Sequence, residues 1–278
     1  MIKELLLEDK KKVERALAKY LPKKGKLASA MRYSVFAGGK RFRPFLCLAA
    51  ARALGKKSKL VLPLACAIEL IHTFTLIHDD LPAMDNSDFR RGKPTCHKKY
   101  GEATAILAGD ALNTLAFEVL AKETKNSVVV SEIANALMQV VIGQVADMAS
   151  EGKKISLSAL KSIHKQKTAA LLRACVRATG QYLKATPKQI RSLTAYAEHL
   201  GLAFQIADDI LDATSTRKKI GKPVKADIKK GFPYIVGLEK SRKLAEQEKK
   251  KAIGVLRMFG KKANALREVA EFVVDRKK

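Results

Sequence analysis

Ile77-His78-Asp79-Asp80-Leu81 and Ile206-Ala207-Asp208-Asp209-Ile210 both place paired aspartates at the end of an apolar run. A carboxylate on an apolar helix is costly unless it is paired or holds a metal. Asp208 and Asp212 are four residues apart, so a helix puts them on one face. Like charges at that spacing repel, and a cation is needed to offset them. Asp79 and Asp80 are adjacent and point different ways. Pro82 breaks the helix behind them, so the chain can return Asp85 to the side of Asp79. Oxygen donors without histidine or thiolate suit a hard cation such as Mg2+, which is held by one or two carboxylates together with phosphate oxygens.

Outward from these two stretches, apolar periodicity predicts helices over residues 3–21, 27–37, 44–54, 60–80, 102–124, 127–150, 159–180, 187–214, 234–258 and 261–276. Ser156 or Ser158 is a natural N-cap, and Thr186-Pro187 opens the next helix with proline at its first position. Residues 85–99 and 215–233 read as loops rich in charge, glycine and proline. Without a low-complexity linker or a composition break, residues 1–278 are expected to form one all-α domain. It would be a bundle of roughly ten or more helices around a central cavity.

The composition excludes several classes. Sixteen glycines and eight prolines are too few for the frequent turns of a sandwich or barrel. The formal charge of +27 suggests a polyanion partner. The lysines are scattered, however, without interleaved aromatics, so a solvated surface explains most of them and no nucleic-acid partner is expected. Cys47, Cys66, Cys96 and Cys175 form no CxxC pair. Three of them sit in apolar helical contexts, and a reducing, cytoplasmic setting is expected. The start of the chain reaches Glu8 and Asp9 too soon for a secretory core. No run approaches the ~18–20 apolar residues needed to span a bilayer, so no membrane span is expected.

Cations accompany the aspartates. Gly38-Gly39-Lys40-Arg41-Phe42-Arg43-Pro44 sets three of them at a glycine turn, and Arg90-Arg91-Gly92-Lys93 follows the first cluster. Lys167-Thr168 lies mid-helix, and Lys222 and Lys229 follow the second cluster. Arginine grips diphosphate bidentately and lysine acts as a point charge. Each cation alone is an ordinary surface residue. Together with the carboxylates they describe a diphosphate site.

Over nearly its whole length the chain resembles the trans-isoprenyl diphosphate synthases, most of all the bacterial short-chain farnesyl and geranyl diphosphate synthases. The run from Leu76 to Asp85, followed by Arg90-Arg91-Gly92-Lys93-Pro94-Thr95-Cys96-His97, is similar to the family's first aspartate-rich motif in a DDxxxxD form. Gly143-Gln144 with Asp147, then Lys167-Thr168-Ala169, then Phe204 to Asp212 follow the family's order. The resemblance implies the isoprenoid synthase fold and a homodimer. It also implies three Mg2+, with Mn2+ as the alternative ion, held by Asp79, Asp85 and Asp208 and assisted by Asp80, Asp209 and Asp212. Arg90, Lys167, Lys222 and Lys229 would grip an allylic diphosphate, and Lys40, Arg43, His72 and Arg91 would hold isopentenyl diphosphate. Thr168 and Gln205 would steady a carbocation. Without the resemblance, His72 reads as a core histidine.

The implied reaction joins isopentenyl diphosphate to dimethylallyl or geranyl diphosphate and gives farnesyl diphosphate. Phe74, five residues before Asp79, would close the pocket floor at the C15 length. A geranylgeranyl (C20) synthase and a non-catalytic subunit of a heteromeric synthase are the alternatives. A terpene cyclase would not need the second diphosphate site. Two departures stand out: Lys225 replaces a usual glycine, and Gly231-Phe232-Pro233 replaces the family's Thr-Tyr-Pro.

Overall fold

The computed structural model describes residues 2–214 and 231–275. Among these the chain is helical apart from one short hairpin, in keeping with the all-α expectation. It falls into two compact units, Met1–Leu48 with Ser58–Val130 and Ala49–Lys57 with Ser131–Lys278.

In the first unit, α1 (Ile2–Tyr20), α2 (Lys26–Val35) and the start of α3 (Phe42–Ala53) precede α4 (Leu62–Asp79). The hairpin β1 (Phe89–Arg90) and β2 (Lys93–Pro94) follows, then α5 (Cys96–Tyr100) and α6 (Glu102–Val119), which runs on through a π turn to Thr124. α4 packs against α6, α1 and α2. Its residues Leu64 to Ile71 are buried on every side, which fits a helix that is apolar all round. Glu69 interrupts this run and meets buried Arg41 at 2.8 Å. Arg41 also bonds Glu14 and the Val35 carbonyl, and it does so from left-handed backbone with φ 51°.

In the second unit, the remainder of α7 (Ser127–Ala149) leads to α8 (Leu157–His164), a π turn (Lys165–Ala169) and α9 (Ala170–Tyr182). The long α10 (Pro187–Thr214), α11 (Phe232–Val236), α12 (Leu238–Gly254) and α13 (Asn264–Asp275) complete it. α10 is the centre, packed by α9, α12 and α13. Its start is a reciprocal capping box: the Gln189 amide donates to Thr186 Oγ1 at 3.3 Å, and the Thr186 amide to Gln189 Oε1 at 2.9 Å. Ser156 caps α8, accepting from the Ala159 amide at 3.1 Å.

Some expectations change. The loop over 85–99 contains the hairpin and α5, because Arg91 and Gly92 at positive φ make a tight two-residue turn. The helix read over 234–258 is two, divided where Gly237 takes φ 82°. The membrane expectation also needs correcting. Ser58–Asp79, Glu102–Thr124 and Ser127–Ala149 are each long and apolar enough to cross a bilayer. Isolated charges such as Glu69 and Asp110 interrupt the apolar runs without making the helices polar. The first of these windows is 61% buried within the protein, but the third is only 22% buried. On α7, Met138, Val141, Ile142, Val145 and Met148 form an exposed apolar stripe at helical spacing. All four cysteines are buried, and none is in a disulfide.

The Arg41–Glu69 pair generates a test. Removing the carboxylate by Glu69→Ala leaves a buried guanidinium short of charge. It is expected to lower the urea-derived unfolding free energy by about 3 kcal/mol or more, whereas the paired change Arg41→Met with Glu69→Leu loses much less.

Candidate active site

In the first unit, α4 ends at Asp79 and the chain folds back on itself. The Asp85 amide donates to the Asp79 carbonyl at 2.8 Å and the Ser87 amide to the Asp80 carbonyl at 3.1 Å. This return turn brings the main chain of Asp85 beside Asp79. Asp85 is exposed and Asp79 half-buried. Asp80 is buried, and Arg90 of β1 grips both its oxygens, from Nε at 2.6 Å and Nη2 at 2.7 Å. Asp80 and Arg90, read from sequence as metal and phosphate ligands, thus engage each other. The hairpin turn aims Arg91 the other way, and its Nη1 donates to the Gly38 carbonyl. Gly39 takes φ 111°, a conformation that strains any L side chain, and a Cβ there would also displace the Arg91 guanidinium, 2.7 Å away.

Arg43 Nη1 stands 3.1 Å from His72 Nε2. Burial, and then the charges of Arg43, Arg91, Arg90 and Arg41, hold the His72 pKa well below its usual value. The ring is therefore neutral, and its Nε2 accepts from Arg43. Arg43, His72 and Arg91 make one cationic cluster, with exposed Lys40 next to the glycine turn. Phe74 is half-buried, and its ring stands edge-on to His78 at 5.0 Å. His78 in turn is seated against Gly109 of α6, where a Cβ would lie 2.5 Å from its Cδ2.

In the second unit, a cavity of about 280 Å³ is lined by Asp147, His164, Lys167, Gln205, Asp208, Asp209, Asp212 and Tyr234 among others. Lys167 Nζ meets Asp147 at 2.7 Å. Gln205, Asp208 and Asp212 follow one stripe of α10, while Ile206 on another face joins the core with Leu160, Phe232 and Ala245. Thr168 follows Lys167 in the π turn. Asp209 accepts from the Phe232 amide at 2.8 Å and lies 3.6 Å from His164, whose ring stacks on Phe232. Lys222, Lys229 and the altered Lys225 lie outside the described residues.

The reading of the sequence passed over His164 and Tyr234. His164 precedes Lys167 by three residues, a spacing that shares a helix face and would have pointed to it. Among the described residues no three histidine, cysteine or carboxylate groups converge as a ready-made metal cage. Within each unit the carboxylate oxygens, of Asp79 and Asp85 in the first and of Asp208 and Asp212 in the second, are of the chemical type that suits a hard cation keeping part of its shell for water and phosphate.

Neutral His72 yields a pH prediction. Its folded-state pKa lies below the unfolded one, so its contribution to stability is fully present above about pH 6.5 and is lost as pH falls through the folded-state value. Thermal unfolding followed by circular dichroism should show a midpoint that drops in acid, and His72→Gln should flatten that drop.

The chain is similar to known proteins along nearly its whole length. The polyprenyl synthetase family model matches residues 24–273. The farnesyl diphosphate synthase of Geobacillus stearothermophilus is 49% identical over 238 residues, covering 81% of this chain and 80% of that one. The geranylgeranyl diphosphate synthase of Cyanophora paradoxa is 45% identical over 285 residues, covering 98% and 95%. The crystal structure of an FPP/GFPP synthase from Zymomonas mobilis superposes with a TM-score of 0.87 at 36% identity, covering 98% of both chains. With the motifs in order and the match spanning nearly the whole chain, this protein belongs to the polyprenyl synthetase family.

Proposed function

We propose that the chain, acting as one catalytic domain over residues 1–278, condenses isopentenyl diphosphate with dimethylallyl or geranyl diphosphate to give farnesyl diphosphate and free diphosphate. The observation that carries this reading is the Arg43–His72–Arg91 cluster. It adds a cationic diphosphate grip to a chain that already has aspartate motifs and Lys167 for another. An enzyme acting on a single diphosphate has no use for both. Names among the relatives support both the C15 and the C20 reading.

Asp79, Asp85, Asp208 and Asp212 would hold Mg2+, which neutralises charge on the departing diphosphate. Lys167, with Lys222 and Lys229, binds the same group. As the allylic C–O bond breaks, the alkene of isopentenyl diphosphate donates its electron pair to the new C–C bond. The resulting cation sheds a proton to the released diphosphate, so no side-chain base is required. The Thr168 hydroxyl and Gln205 carbonyl offer oxygen dipoles to the cation. Neutral His72 and Arg43 hold the second diphosphate, with Lys40 and Arg91 at its edge. The Phe74 ring, braced by His78, limits the product length.

A cytoplasmic location and a homodimer complete the proposal. Four buried cysteines without a disulfide support a reducing compartment. The α7 stripe supports pairing with a second copy. In a chain of net charge +27, this helix carries no lysine or arginine, which disfavours an anionic lipid surface as its partner.

Purified protein incubated with Mg2+, labelled isopentenyl diphosphate and dimethylallyl diphosphate should yield mainly a C15 alcohol after dephosphorylation, and chelation should abolish it. Phe74→Ala should shift the product toward C20. A C20 product from the parent would sink the chain-length reading and keep the reaction class. Sedimentation should show a dimer, with Val145→Lys on the exposed stripe driving it toward monomer.

A further inference from the structure

The path from α8 to α9 is one helix widened at a single π turn, Lys165–Ala169, and this turn carries Lys167 and Thr168. Wide turns of this kind are uncommon and recur at functional sites. Two glycines from two other helices seat it. A Cβ on Gly143 of α7 would strike the main chain of the turn, meeting Lys167 N and lying 2.8 Å from both Gln166 C and Lys167 Cα. A Cβ on Gly201 of α10 would lie 2.5 Å from Ala169 Cβ and 3.0 Å from Ala169 Cα. Main-chain atoms cannot swing aside as a flexible side chain can.

Both glycines also sit on the helix faces that supply the cavity. Gly143 is four residues before Asp147, which holds the Lys167 ammonium. Gly201 begins the stripe Gly201, Gln205, Asp208, Asp212. Glycine is a poor helix residue, so helix propensity alone favours alanine at both positions. Their smallness instead sets how closely two walls of the cavity approach the turn between them.

We infer that Gly143 and Gly201 are positioning residues: they fix the width and depth of the π turn and so aim Lys167 and Thr168 at the groups on Asp147 and Gln205. Neither touches a substrate. The inference rests on the prenyl-transfer reading above for its consequence in turnover, but not for its geometry.

Gly201→Ala, Ala169→Gly and the double variant separate this role from ordinary packing, because Ala169→Gly removes the methyl that the new Cβ would strike. Circular dichroism first establishes that each variant folds. Gly201→Ala is expected to lower kcat by about 100-fold while leaving KM for isopentenyl diphosphate unchanged, since a displacement of a reacting group near 1 Å has effects of that size. The double variant should recover most of the loss. Deuterium exchange of the peptide spanning Lys165–Ala169 should rise in Gly201→Ala and return in the double variant. Parent-like kcat in Gly201→Ala, or a folded double variant that stays impaired, would overturn the inference. An inactive parent would refute the prenyl-transfer reading, and the exchange pattern would then decide the seat by itself: unchanged exchange in Gly201→Ala would reject it.

Discussion

Asp208 and Asp212 sit one turn apart on one stripe of α10, the central helix of its unit, so the helical repeat sets their carboxylates near each other. Like charges at that spacing repel modestly, a small local cost. The surrounding structure tolerates it because the same stripe lines a cavity of about 280 Å³ with a lysine on a neighbouring turn, while other faces of α10 bury Ile206 and Ala207. The aspartates are therefore exposed to a ligand and withheld from the core by the helical repeat itself. The first unit solves the related problem differently. Of Asp79, Asp80 and Asp85, Asp80 is neutralised inside by Arg90, and the return turn gathers the main chain of the other two.

This division of labour has a physical basis. An arginine with both Nε and Nη2 on one buried carboxylate is strongly committed. Asp80 and Arg90 together anchor the hairpin to the end of α4, which leaves Arg91, on the opposite side of the turn, to face the Gly38 loop. Asp209 plays a comparable part in the second unit. It accepts the Phe232 amide at the start of α11 and so ties α10 to the buried Phe232, which stacks on His164. Gly231 fits that contact, since a Cβ there would press on the Asp209 carboxyl at 3.1–3.2 Å. The Gly-Phe pair at 231–232 thereby gains a local rationale.

Much of this was legible in the sequence, for identifiable reasons. Helix periodicity and cap chemistry at Ser156 and Thr186-Pro187 act locally, so they are written locally. The aspartate pairs were visible because charge on an apolar helix demands explanation. The π turns at Leu120–Thr124 and Lys165–Ala169 were not, because no local residue pattern marks them, and the second is packed by Gly143 and Gly201, which stand on other helices. The tight turn at Arg91-Gly92 was hidden by its arginine, a residue that rarely takes positive φ. Pairing between Asp80 and Arg90 was obscured because each residue taken alone makes a good ligand. The long apolar helices were underestimated because a stretch of unbroken apolar residues is a narrower test than a helix whose few charges are spaced apart.

Arg41 has a consequence for how this sequence can drift. Its backbone is left-handed, a conformation glycine would adopt without strain, yet glycine lacks the guanidinium that meets Glu14, Glu69 and the Val35 carbonyl. Conformational ease and charge balance select different residues at the same position. Losing Arg41 strands the buried Glu69 carboxylate, and losing Glu69 takes the buried counter-charge from Arg41, so these two positions are expected to diverge by coordinated replacement. Two positions of the first unit, 41 in the loop before α3 and 69 on α4, are in this sense inherited as one.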